Sequence, residues 1–240
     1  MSTDYSLVTV PTDAGDMPTH WWLPEGGSGP GLTLVQEIFG LSDYIRERAA
    51  DLAGLGYVVL APEVYWRLED TTVDESRDDF LQRAMGIAGR VDWPAAVSDV
   101  RAALRHLRDL PEVEGGVGVI GFCFGGGLAF NVAAVDSVDV LVSYYGSALP
   151  QLLDLAPQVD APSLHHFGTA DAFLDTATVE RIREAVTAAP GEVRFETYDG
   201  AGHAFDNPHP QFHHPEASRQ AWRTTASFLE QHLPPVASRR

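Results

Sequence analysis

One stretch constrains this chain more than any other. An apolar, β-branched run, Val117-Gly118-Val119-Ile120, enters Gly121-Phe122-Cys123-Phe124-Gly125, and a helix-forming run through Asn131 leaves it. A strand must therefore turn into a helix within a few residues, in the pattern G-x-nucleophile-x-G. The central residue of such an elbow has a strained backbone, and the residues two before and two after it must be very small to clear it. Gly121 and Gly125 meet that demand. A helix beginning beside Cys123 would aim free N–H groups and the positive end of its dipole at the sulfur, favouring thiolate over thiol. The bland alternative is a buried structural cysteine, since free cysteine is among the most buried residue types. Whether a base and an orienting acid accompany the thiol separates the two readings.

The rest of the chain alternates strand and helix. Residues 6–10 and 18–23, joined by a turn-rich piece, read as an antiparallel hairpin. Residues 31–36 and 57–61 are short apolar runs of the kind buried on both faces of a parallel sheet. A helix from Ser42 or Asp43 through about Leu55 lies between them, with Gly56 as its stop. Residues 67–90 are highly charged and read as a loop with a short helix over the strand ends, placed to serve as a lid. A helix opening at Asp92-Trp93-Pro94 leads into the elbow strand. Beyond the elbow come strands at 138–143, 161–167 and 193–198, and helices at 176–188 and 218–233. The expectation is a single α/β domain over 1–240, with a mostly parallel, doubly wound sheet and right-handed crossovers.

Composition narrows the chemistry. With one cysteine no intrachain disulfide can form, and Met1 to Ser6 lack the basic flank and apolar core of a signal peptide, so a cytoplasmic location is expected. No apolar run approaches the ~20 residues of a membrane-spanning helix. All 16 basic residues are arginine, against 34 acidic ones, giving a net charge of −18 and arguing against nucleic acid as a partner. The absence of lysine excludes Schiff-base chemistry, pyridoxal phosphate attachment and a P-loop. No cofactor or metal is expected, and the chain is expected as a monomer or small homo-oligomer.

The order of groups along the chain supports an active thiol. In this architecture the partners follow as nucleophile, acid, histidine. Asp171 sits in the glycine-led exit loop Gly168-Thr169-Ala170-Asp171, and His203 in the loop Asp199-Gly200-Ala201-Gly202-His203. Both lie at the carboxyl ends of expected strands, where open α/β sheets gather ligands. The oxyanion of acyl transfer needs two fixed donors, for which the N–H groups of Phe124 and Ile38 are the candidates. Glu37 precedes Ile38, and its carboxylate points either into the site or into solvent.

These residues together resemble the dienelactone hydrolase family, the cysteine branch of the α/β-hydrolases, with its G-x-C-x-G-G, G-x-x-D and G-H-x-F motifs. They stand here as Gly121-Phe122-Cys123-Phe124-Gly125-Gly126, Gly168 to Asp171, and Gly202-His203-Ala204-Phe205. The resemblance implies an α/β-hydrolase fold and a Cys123–His203–Asp171 triad. It implies hydrolysis of a lactone or carboxylic ester through a thioester, without cofactor. It further implies that Glu37 holds the resting thiol until substrate displaces it. Family members grip a substrate carboxylate with arginines, but the corresponding positions here are Asn207 and the neighbourhood of Leu81, with Arg83 nearby and Arg67 at the start of the lid segment. Arg83, Tyr145 and Asn207 are the expected substrate contacts. Weak discrimination in favour of carboxylate-bearing substrates follows, with neutral esters competitive.

Two other readings compete. His203, His209, His213 and His214 crowd one segment and raise a metal-dependent hydrolase, but their spacing matches no zinc signature and Pro208, Pro210 and Pro215 suggest an extended surface piece. A reactive-thiol protein without turnover is the other.

Overall fold

The computed structural model describes residues 5–235, so residues 1–4, on which part of the N-terminal reading rests, lie outside it. Eight strands form one sheet in the order β1-β2-β4-β3-β5-β6-β7-β8. The strands β1 (Ser6–Thr12) and β2 (Gly15–Trp22) pair antiparallel, and β2 joins β4 (Val58–Pro62) antiparallel. From β4 through β3 (Gly29–Val35), β5 (Val113–Phe122), β6 (Val140–Tyr144), β7 (Ser163–Gly168) and β8 (Val193–Tyr198) every pairing is parallel. The α/β-hydrolase fold expected from the sequence is thus the one observed. Every residue of β3, β4, β6 and β7 is buried, as strands covered on both faces require, whereas β1 is largely exposed.

The helices α1 (Asp43–Gly54) and α6 (Pro215–His232) meet on one face, where the Arg48 guanidinium lies 4.8 Å over the Trp222 ring. On the other, α3 (Trp93–Asp109) touches α4 (Phe124–Val135), and the Trp93 indole donates to Asn131 Oδ1 at 2.8 Å. Helix α5 (Thr176–Thr187) covers β8 and packs on two 3-10 turns, at Leu149–Gln151 and Leu153–Gln158, that the sequence pattern did not predict. Proline within each turn limits both to short pieces.

The charged segment after β4 carries one short helix, α2 (Phe80–Ala88). Its beginning is fixed, because the buried Asp99 carboxylate of α3 accepts hydrogen bonds from the Trp66 indole and from both Nε and Nη2 of Arg67. Among the described residues no helix is long and apolar enough to cross a membrane.

Candidate active site

The elbow forms as its glycines require. Cys123 takes φ 52°, ψ −114°, a left-handed conformation costly for a side-chain-bearing residue, at the junction of β5 and α4. A Cβ on Gly121 would collide with the Gly125 carbonyl, and one on Gly125 with the carbonyls of Val35 and Gln36 at the end of β3. The turn is further held by the Cys123 N–H donating to the Tyr144 carbonyl at 2.9 Å and the Ser147 N–H donating to the Cys123 carbonyl at 3.1 Å.

Two more loops at the same sheet edge bring the partners. The Asp171 loop is tied to the β8 exit loop by hydrogen bonds from Thr169 N–H to Tyr198 and from Ala170 N–H to Ala201, both 2.9 Å. Asp171 Oδ1 accepts from the N–H groups of Phe173 (2.8 Å) and Leu174 (3.0 Å), which leaves Oδ2 for His203 Nδ1 at 2.7 Å. His203 Nε2 lies 3.0 Å from Cys123 Sγ. Carboxylate, imidazole and thiol thus form one line, with the acid fixing the ring tautomer and orientation.

The electrostatics favour a charge-separated pair. Burial pushes the Cys123 thiol up, but the charge and hydrogen bond of His203, the Ser147 hydroxyl and the Phe124 N–H outweigh it and set the thiol below its ordinary value. Burial likewise disfavours a charged His203, yet the sulfur and the Asp171 carboxylate raise the imidazole above its ordinary value. Both shifts favour the thiolate and imidazolium form of the pair over the neutral one.

Residues 203–207 anchor the histidine. Ala204 turns the chain at φ 57°, and Phe205 packs edge-on against Tyr145, whose ring also lies 5.3 Å from that of His203. Asp206 is fully buried, accepting from Tyr44 (2.7 Å), Arg48 Nε (2.8 Å) and Ser218 (2.7 Å). Asn207 Nδ2 donates to Glu37 Oε1 at 2.8 Å, and its Oδ1 accepts from the His209 N–H. Glu37 is buried, and burial, then the neighbouring sulfur, holds its carboxyl well above the usual carboxylate range. Cys123, Ser147, His203 and Glu37 open on a cavity of about 120 Å³ whose remaining walls are apolar.

A family model described as the dienelactone hydrolase family matches residues 17–233. The chain belongs to that family. It is 36% identical to a carboxymethylenebutenolidase of Pseudomonas sp. strain P51 over 92% of both chains. It is 32% identical to that of Rhodococcus opacus over 86% of this chain and 83% of the other. A crystal structure of a candidate dienelactone hydrolase from Klebsiella pneumoniae superposes with a TM-score of 0.85 at 25% identity, covering 95% of this chain and 98% of that one. The dienelactone hydrolase of Anabaena variabilis shares the fold, with a TM-score of 0.70 at 22% identity over 96% of this chain and 98% of that one.

For this dienelactone hydrolase family member, the structure brings Cys123, Asp171, His203, Glu37, Ile38 and Phe124 to one place. The Phe124 N–H faces the sulfur, and the Ile38 carbonyl is held by the Tyr65 hydroxyl at 3.0 Å. The three expected substrate contacts lie elsewhere. Arg83 is turned to the Thr72 carbonyl (2.7 Å) and the Asp70 carboxylate (2.6 Å), because it projects from the side of α2 opposite the cavity. Tyr145 is fully buried behind His203 and exchanges a hydrogen bond with Tyr44 at 3.1 Å. Asn207 is buried and spent on Glu37 and the His209 backbone. Glu37 also differs from expectation, since the resting thiol is held by His203 while Asn207 holds the glutamate.

The surface histidines have structural tasks. His214 Nδ1 caps α6 by accepting from the Ala217 N–H, and the His209 ring packs 4.8 Å from that of Phe80. Sequence reasoning missed Ser147, whose hydroxyl lies 3.8 Å from Cys123 Sγ. Its only signal was position, the third residue past the end of β6 at the catalytic rim.

Proposed function

We propose that Cys123 is the nucleophile, His203 the general base and acid, and Asp171 the residue that orients and charges His203. The chain is a hydrolase of lactone and ester bonds, as membership in the dienelactone hydrolase family and carboxymethylenebutenolidase relatives at 36% and 32% identity support. The observation that carries the residue assignment is the line of 2.7 Å and 3.0 Å contacts from Asp171 through His203 to a sulfur at the cavity wall.

The thiolate attacks the substrate carbonyl carbon, and the C=O π pair moves onto oxygen. The N–H groups of Ile38 and Phe124 are the donors that stabilise this oxyanion. Collapse of the tetrahedral adduct breaks the C–O bond, and the departing alkoxide takes the proton from His203 Nε2, leaving a thioester on Cys123. His203, now neutral, removes a proton from an incoming water, whose hydroxide attacks the thioester carbonyl. A second collapse expels the Cys123 thiolate and releases the acid. For a lactone the alkoxide stays tethered, so one hydroxy acid is the sole product. Glu37 acts as a switch group that, rotated off Asn207, competes with His203 for the sulfur.

The test is turnover of lactones and phenyl esters by Cys123→Ala, compared with wild type after circular dichroism confirms the fold. Loss of turnover is expected, and persistent hydrolysis at the wild-type rate overturns the assignment.

A further inference from the structure

Only one side of α2 meets the cavity. Leu81 and Met85 are four residues apart, so they stack on one face of the helix, and both line the cavity. Gln82, Arg83, Gly86 and Arg90 instead line a separate groove on its outer side. Among the described residues no arginine lines the cavity. Arg83 is held by Asp70 and Thr72, Arg90 by the carbonyls of Glu69 and Asp70, and Arg67 by Asp99 and Asp13.

The wall facing the thiol is Ile38, Phe39, Leu81, Met85, Phe173 and Phe212. Phe39 and Phe212 are stiffened by Phe80 behind them, with ring centroids 5.5 and 6.0 Å apart from its own. At the mouth, Met85 and Phe173 expose 49% and 54% of their surface, an apolar rim around an apolar hollow. The polar groups that do face the cavity are already matched. Cys123 is paired with His203, Ser147 with the sulfur, and Glu37 with Asn207.

We propose that this cavity selects an uncharged, apolar substrate moiety of about one five- or six-membered ring, so that neutral lactones and esters are processed in preference to carboxylate-bearing ones. This rests on the Cys123 reading above. A carboxylate placed here would give up its hydration without gaining an unpaired cation, because His203 is already engaged by the Cys123 sulfur and the Asp171 carboxylate. An apolar group gains from the same burial, at about 25 cal/mol per Å². Size follows from the volume, since about 120 Å³ is close to the ~150 Å³ that accommodates one benzene in an engineered apolar cavity. Leu81 and Met85 are the specificity-determining residues, because either could have carried a cation into the cavity and neither does.

The experiment compares kcat/KM for two five-membered enol lactones that carry a methyl group or a carboxylate at the same ring carbon. Phenyl acetate and Cys123→Ala serve as controls. Wild type should favour the methyl lactone on the order of 100-fold, the discrimination expected when a charged group loses its partners. Met85→Arg, at an exposed helical position that tolerates a long side chain, should reduce that ratio about 10-fold or more. Wild-type rates equal within about three-fold, or favouring the acid, overturn the inference whatever the variant does. An unchanged ratio in a folded Met85→Arg also overturns it. The two readings separate cleanly: phenyl acetate turnover that survives in Cys123→Ala sinks the catalytic assignment. Cys123-dependent turnover that prefers the acid sinks the selectivity alone. No Cys123-dependent turnover of any of the three substrates overturns both.

Discussion

Replacing His203 by glutamine removes the charge beside the thiol while keeping a side chain able to hydrogen-bond it. The wild-type separation of 3.0 Å between Nε2 and Sγ sets the scale. At an effective dielectric of ~20, a unit charge at that distance is worth about 5 kcal/mol, or roughly four pKa units. This is a ceiling, because the pair borders an open cavity and water will screen part of it. Ser147 and the Phe124 N–H remain in the variant, but burial, which opposes the thiolate, remains too. The Cys123 thiol should therefore move from below its ordinary value to above it. The assay is the rate of alkylation by iodoacetamide as a function of pH, with the ultraviolet absorbance of the thiolate as a second readout. In wild type the rising limb lies below the free-thiol range of about 8.5, and in His203→Gln it should lie above it. Midpoints that agree within about half a unit would refute the charge-separated resting pair.

Three further outcomes are expected. Asp206→Ala leaves Arg48 with Asp51 as its one carboxylate and strips the buried Tyr44 and Ser218 hydroxyls of their acceptor, and should cost about 1–3 kcal/mol in urea unfolding; a loss under about 0.5 kcal/mol would contradict the anchoring role. Glu37 has a folded-state pKa above its unfolded one, so the stability it contributes is complete below about pH 4.3 and is lost as pH rises through the raised value. Glu37→Gln should therefore gain on wild type in unfolding midpoint as pH rises above about 4.3, and a pH-independent difference would show that the carboxyl is not held up by burial. Gly125→Ala should fail to yield folded protein, since its Cβ would strike the Val35 and Gln36 carbonyls, and a soluble variant with wild-type activity would show that α4 can move off β3.

What the sequence conveyed divides by range. The elbow was legible because its cause is local: Gly121 and Gly125 are needed within two residues of Cys123 whatever surrounds them. Asp171 and His203 were legible because strand order and glycine-led loops place both at one edge of the sheet. Side-chain direction was not. Arg83 is two residues from Leu81, near enough in sequence to suggest the same task, yet two residues turn a helix by more than half a revolution and carry it to the outer groove. Asn207 and Tyr145 lie at the catalytic rim as expected, but what each touches depends on partners 170 and 101 residues away, Glu37 and Tyr44. No periodicity encodes such pairings. Asp206 went unnoticed for the same reason, its partners lying on α1 and α6.

The loop from His203 to Asn207 behaves as a ruler with three marks. The mark at its first residue sets the imidazole against the thiol, that at its fourth is pinned to the α1–α6 pair through Asp206, and that at its fifth holds the carboxyl of Glu37. Substitution at any one mark alters one task and leaves the spacing intact. Deletion or insertion of a single residue instead misreads every mark beyond it, shifting the base, the anchor and the glutamate's partner against one another in one step. Over these five positions the number of residues therefore carries as much catalytic information as their identity, and lineages or engineered libraries can vary the loop's chemistry far more freely than its length.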